Sequence, residues 1–256
     1  MNHLVIPDTQ IKPDVDITHL TWIGRYIVDK KPEKIIMLGD WYDMPSLSRW
    51  DSVAKKVLTA RDVHADIVAG NRGWDLLMAP IFAYNKSHRR KYKPEMTFLY
   101  GNHENRIARA INDEPWLRGL FDATPMKARA YGWKVVPFLT PIEIDSIRYC
   151  HYFVRNANGS VTQSKRGMPS AKSQVIREAM SATAGHKQGL DVHVQPAGGR
   201  LLRGLIAGSC YSHDEEYLTA QGNEHFRGVI MKHDVRDYGY YDLCEVSLEF
   251  LRRRWS

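Results

Sequence analysis

Two short apolar runs in this chain, Lys34-Ile35-Ile36-Met37-Leu38 and Met96-Thr97-Phe98-Leu99-Tyr100, each stop at a glycine followed by residues that ligate metals or handle protons. The continuations are Gly39-Asp40-Trp41-Tyr42-Asp43 and Gly101-Asn102-His103-Glu104. Runs of this length and composition predict buried strands, and a glycine at the strand end lets the backbone turn sharply. A third run, His3-Leu4-Val5-Ile6, leads in the same way to Asp8 and Gln10. The pattern restricts the chain to folds that deliver polar side chains from successive strand ends into one crevice.

Between the first two runs the periodicity predicts a helix from Asp16, capped by Asp14 or Asp16, with Leu20, Ile23 and Ile27 on one face and Pro32 at its end. Strand, helix and strand in that order imply parallel pairing, with the following loops on a common edge. Residues 44–94 read as a mostly helical insertion that buries Val63, Ile67, Trp74, Leu77, Met78 and Ile81, with Pro80 kinking or dividing it. Residues 104–122 read as helical, with Pro115 in the first turn of a second short helix. Short strands are predicted at 133–138, 142–144 and 147–153, with Asp145-Ser146 as a hairpin turn, and later at 192–194, 201–207, 228–231 and 240–251. A polar loop runs to residue 173 and a short helix covers 176–180. The order predicts one α/β domain over residues 1–256, a four-layer α/β/β/α sandwich of two mixed sheets flanked by helices, with a basic loop at about 154–175.

A hydrophobic fraction of 43% and a charged fraction of 25% are those of a globular soluble chain. No apolar run approaches the roughly 20 residues of a membrane helix, and Met1 passes directly into a strand, so neither a membrane partner nor a secretory leader is predicted. Cys150, Cys210 and Cys244 are widely spaced and predict reduced, buried thiols in a cytoplasmic protein. The net charge of +7 fits either a generally basic surface or a polyanionic partner. Its distribution favours the partner. Residues 86–93 hold five cations and no acid, while Arg155, Lys165, Arg166, Lys172, Arg177 and Lys187 face the single Glu178 over 155–187.

Singly, these motifs say little: an Asp after a strand is most often a turn former, and His151 on an alternating strand is most often a packed histidine. As an ordered set, Asp8 with Gln10, Gly39-Asp40 with Asp43, Gly101 to Glu104, His151, and Gly185-His186 with Gln188 resemble the calcineurin-like metallophosphoesterase superfamily over residues 3–209. In layout they are nearest its phage and bacterial members, similar to the nuclease subunit of double-strand-break repair complexes. The resemblance implies two divalent ions, Mn²⁺ foremost with Mg²⁺, Fe²⁺ or Zn²⁺ as alternatives. Asp40 would bridge them, with Asn102, His151 and His186 on one ion and Asp8, Gln10 and Gln188 on the other. It also implies in-line attack on phosphorus by metal-bound hydroxide, with His103 protonating the leaving group beside the catalytic Asp40. Relatives that work as homodimers or with a separate ATPase subunit make those partners expectations here, in the cytoplasm of a bacterium or a phage-infected host.

The sequence departs from the family pattern twice, and both departures fall on one ion: Gln10 and Gln188 stand where histidines are usual. Amide oxygens are harder and weaker donors than imidazoles, which predicts a loose, exchangeable position suited to Mn²⁺ or Mg²⁺. His193 and His213 are remaining histidines with no spacing that ties them to it. For substrate, the cationic stretches predict nucleic acid, with Arg155, Lys165, Arg166 and Lys187 as binding residues and Tyr84, Tyr92, Tyr152, Phe153 and Tyr211 either stacking on bases or packing in the core. A DNA nuclease is the leading reading. A phosphatase or phosphodiesterase for small nucleotides or phosphoproteins, and a non-catalytic nucleic-acid-binding relative with an impaired metal centre, are its alternatives.

Overall fold

The computed structural model describes residues 1–49, 62–118, 124–154, 169–215 and 221–256, with the backbone alone for 124–126. Among these residues the strands, numbered in chain order, form two mixed sheets. The first contains β1 (His3–Ile6), β2 (Lys34–Met37), β3 (Glu95–Leu99), β4 (Lys134–Val136), β10 (Gly228–His233) and β11 (Asp242–Ser247), in the order β11-β10-β1-β2-β3-β4. Strands β1 to β4 are parallel, and β10 and β11 add antiparallel. The second sheet, in the order β5-β6-β7-β9-β8, is built from β5 (Ile142–Ile144), β6 (Ile147–Tyr149), β7 (Ser181–Ala184), β8 (Leu190–Ala197) and β9 (Arg200–Ala207). Its central strands β6, β7 and β9 are parallel.

The alternation of side chains along the strands builds the layers. From β1, Leu4 and Ile6 face outward onto helices α1 (His19–Lys30), α2 (Val63–Ser87) and α6 (Leu248–Trp255), while Val5 faces inward. The inward layer joins Val5, Ile36, Leu38, Leu99 and Ile230 of the first sheet to Ile147, Tyr149, Leu205 and Ala207 of the second. On the outer side of the second sheet, α5 (Ala171–Glu178) packs against β7, β8 and β9. This is the predicted four-layer α/β/β/α arrangement. No helix among the described residues is long and apolar enough to cross a membrane.

Individual elements differ from expectation for local reasons. Helix α1 begins at His19, because Asp16 Oδ1 accepts from Thr18 N and spends its carboxylate in the preceding turn. Pro80 does not divide α2, which runs unbroken through it. Residues 105–113 form α3 (Asn105–Asp113), Pro115 opens a 3₁₀ turn to Leu117, and a further short helix, α4 (Thr124–Ala130), follows. The hairpin turn stands as predicted, with Asp145 and Ser146 both at positive φ. Strand β6 stops at Tyr149, so His151 lies beyond its end. Helix α5 starts earlier than expected, capped by Ser170 Oγ. The predicted strand 240–251 ends at Ser247, whose hydroxyl caps α6. Cys150 and Cys210 are buried free thiols, whereas Cys244 is partly exposed.

Candidate metal centre

The polar residues singled out in the sequence emerge from the C-terminal ends of parallel strands in both sheets. Asp8 follows β1, Asp40 follows β2, Asn102 and His103 follow β3, His151 follows β6 and His186 follows β7. A parallel bridge between Asp8 and Ser209, just beyond β9, ties the two sheets together at this edge. The loops are crowded. A Cβ on Gly39 would come within 2.6 Å of Gly101 N and 2.8 Å of His151 Nδ1, and one on Gly101 would overlap Asp40 Oδ1. Gly39 also sits at a φ of 104°, so both glycines are demanded by close approach, one of them by conformation as well. Gln10, Asp40, His186 and Gln188 are non-glycine residues held at positive φ. Such strain concentrates where side-chain placement matters more than backbone ease.

Asp40, His151 and His186 offer ligand atoms that lie within 4.8 Å of one another. Nδ1 of His151 lies 2.8 Å from Leu38 O and donates to it, which leaves Nε2 as the free ring atom. That Nε2 is 2.9 Å from Asn102 Oδ1 and 3.3 Å from Asp40 Oδ2. A ring nitrogen and two oxygens therefore meet at one point, an arrangement satisfied by a bound cation or by a second proton on the ring. Burial would push His151 down, but Asp40's charge and hydrogen bond hold it up at about 9. Burial would likewise raise Asp40, yet the charges of His103 and His151 keep it well below the usual carboxylate range. His186 is pulled down to about 4 by burial and by the His151 charge, so its ring nitrogens keep a lone pair for a ligand. The donor set fits a divalent ion of the transition series.

Asp8 stands against the same cluster. Its Oδ1 accepts from His186 N at 3.0 Å, its Oδ2 is buried without a partner, and burial pushes it up to about 7. Gln10 is buried, and its backbone N donates to Asp40 O at 2.8 Å. Gln188 Oε1 accepts from Tyr211 OH at 2.9 Å. Lys187 is exposed beside His186. His193 contacts Gln195 Oε1 at 3.2 Å on β8, His213 contacts Glu215 Oε1 at 2.7 Å, and neither joins the cluster of Asp40, His151 and His186. Arg155, Lys165 and Arg166 lie outside the described residues.

His103 is buried, its backbone N donates to Asp40 Oδ1 at 2.9 Å, and its Nε2 is 3.8 Å from Asp40 Oδ2. Its Nδ1 is 2.8 Å from both the backbone O and Oδ1 of Asp43. The Asp43 contact fixes the Nδ1–H tautomer and turns Nε2 toward the centre. Burial would lower the ring's proton affinity, but Asp40 and Asp43 raise it. Arg106 NH1 donates to the backbone oxygens of Asp43 and Met44, while its NH2 reaches 3.1 Å from His103 Nε2.

Glu104 does not merely open the helix after it. Its buried carboxylate accepts from Asp40 N at 2.9 Å and Gly101 N at 2.8 Å through Oε2, and from Tyr42 N at 2.9 Å through Oε1. The cationic run at 86–93 is also misplaced for a substrate role at this edge. It precedes β3, whose other end feeds the centre, and so belongs to the opposite edge of the first sheet. Phe153 and Tyr211 are core side chains, Tyr84 stacks on His88, and the Tyr92 hydroxyl donates to Pro32 O. Tyr152 packs on the centre, 4.7 Å between ring centroids from His186. Arg106 is a site residue that the sequence reading missed; its place directly after the Gly101 to Glu104 loop was the available signal.

Neither protein-family models nor curated proteins match this sequence. Among solved structures the chain is similar to the phosphoesterase Yfce from E. coli, with 9% identity and a TM-score of 0.43 over 97% of this chain and 93% of that one. It is also similar to a predicted phosphoesterase from Streptococcus pneumoniae TIGR4, with 12% identity and a TM-score of 0.36 over 97% of this chain and 91% of that one.

Proposed function

We propose that this protein is a divalent-metal-dependent phosphoesterase of the calcineurin-like kind, acting on phosphodiester bonds of DNA. The observation that carries the reading is the convergence of His151 Nε2, Asn102 Oδ1 and Asp40 Oδ2 on one point, with His186 beside them. Asp40, Asn102, His151 and His186 would hold a divalent ion there, which would supply Lewis-acid charge to a phosphoryl oxygen and lower the pKa of bound water. Asp8, Gln10 and Gln188 would hold a second ion through oxygen donors alone, which suits Mg²⁺ or Mn²⁺ and weak retention. His103, held by Asp43 through Nδ1, presents Nε2 to the leaving oxygen and carries the proton transferred to it. The guanidinium of Arg106, fixed by two backbone oxygens, adds positive charge at the same spot. The net charge of +7 is compatible with a polyanionic substrate.

The test is turnover of bis(p-nitrophenyl) phosphate and of DNA with Mn²⁺ or Mg²⁺. Asp40→Ala and His151→Ala should each abolish cleavage while DNA binding persists, and near-normal turnover in both would reject the site. Fast hydrolysis of p-nitrophenyl phosphate with no DNA cleavage would assign the centre to a small phosphoester. DNA binding with no hydrolysis under any metal would make the chain a binding module.

A further inference from the structure

We propose that Arg109, with Arg106, forms an anion subsite beside the metal centre that takes the phosphate neighbouring the scissile one in a nucleic acid strand. The inference rests on the phosphoesterase reading for its scissile bond, but on separate residues for its geometry. Helix α3 begins directly after the Gly101 to Glu104 loop, so its first turns stand against the centre. Residues three apart share a helix face with about 5–6 Å between their Cβ atoms, which puts Arg106 and Arg109 on one side. Arg106 is already oriented toward the chemistry, its NH2 being 3.1 Å from His103 Nε2.

Arg109 has no such internal account. Its Nε is buried without a hydrogen-bond partner, and among the described residues no carboxylate pairs with it. The nearest acid on the helix, Asp113, is held by Arg49. Burial, then the charges of Arg49 and Arg106, weaken Arg109's hold on its proton, with the charge of Asp113 opposing them. Tyr152 links Arg109 to the centre, since it senses the charges of both Arg109 and Asp40 and packs on His186. A buried donor without a partner opposes folding. An arriving phosphate removes that cost, and a guanidinium matches phosphate oxygens in a paired, planar contact.

The experiment compares wild type with Arg109→Gln and Arg109→Lys in Mn²⁺. Bis(p-nitrophenyl) phosphate offers one phosphate, pentathymidylate a run of them, and ADP a neighbouring phosphate on a small molecule. R109Q should raise KM for pentathymidylate about tenfold, the loss of one charge-assisted contact, with kcat nearly unchanged. Bis(p-nitrophenyl) phosphate kinetics should stay within about twofold, which also shows the variant folded, and R109K should recover part of the strand effect. Anisotropy of labelled pentathymidylate on a His103→Ala background should weaken by the same factor when R109Q is added. A wild type inert on bis(p-nitrophenyl) phosphate rejects the phosphoesterase reading, and the anisotropy still decides the subsite. Equal losses on all substrates, or unchanged strand KM and binding, overturn the proposal. An effect confined to ADP overturns the strand as its ligand.

Discussion

Three backbone amides from two strand-end loops meet on one buried carboxylate, that of Glu104. Through them it sets where Asp40 and Gly101 stand relative to one another, and so where the ligand oxygens point. Glu104→Gln replaces an acceptor oxygen with an NH₂ group aimed at N–H donors. It should cost about 2–3 kcal/mol in urea unfolding and weaken Mn²⁺ binding by calorimetry; unchanged metal affinity would show that the loops hold themselves. Asp43 acts on His103 in a comparable way. Asp43→Asn should lower kcat by about 10²-fold or more with KM little changed. Because Asp43's negative charge raises His103, the alkaline limb of the rate profile should move to lower pH. Asp40, Asn102, His103, His151 and His186 were legible only as an ordered set of polar groups following successive strand ends, since singly each is a common structural residue. Glu104 and Arg109 were not, since the amides that Glu104 satisfies and the acid that Arg109 lacks are properties of loops brought together only by folding.

Elements were legible where burial is one-sided and long, and obscure where the signal is small. Strands β1, β2 and β3 read as apolar runs, whereas β7, Ser181-Ala182-Thr183-Ala184, has no large side chain although all four residues are buried. Small residues are needed there because α5 lies close: Gln174 Nε2 donates to Ala182 O at 3.1 Å and Leu205 O at 2.8 Å. At the other end of the chain, the arginines at 252–254 occupy the outer face of α6, whose Leu251 is fully buried. Trp255 packs edge-on against Tyr26 at 5.1 Å, and its backbone O accepts from Arg25 NH1 at 2.7 Å. Trp255→Ala should therefore cost about 1–3 kcal/mol in urea unfolding. A solvated tail would give a change within about 0.5 kcal/mol.

Across the whole molecule, the two sheets are joined by apolar contacts in the middle, by the candidate metal centre at one edge and by a polar chain toward the other. Lys232 Nζ donates to Thr183 Oγ1 at 2.6 Å and Tyr149 OH at 3.1 Å. The tyrosine hydroxyl is 2.7 Å from His3 Nδ1, and His3 Nε2 is 2.8 Å from Asp145 Oδ2. The donors run in one direction only if His3 is neutral, and burial followed by the Lys232 charge does pull it down to about 4. His19, whose Nε2 donates to Cys210 O at 3.0 Å, is pulled down to about 4 by burial as well. Both folded values lie below the ordinary histidine value of 6.5. The unfolded chain therefore takes up protons that the folded chain refuses as pH falls from 6.5 toward 4. Their contribution is complete above that window and is lost through it. Urea midpoints should fall steadily from neutral pH into the window, beyond what carboxylate protonation adds at its acid end. His19→Gln keeps an N–H for Cys210 O but cannot titrate, so its midpoint should fall less steeply than that of wild type. Parallel curves for the two proteins would mean that the His19 ring is charged, or solvated, in the folded state.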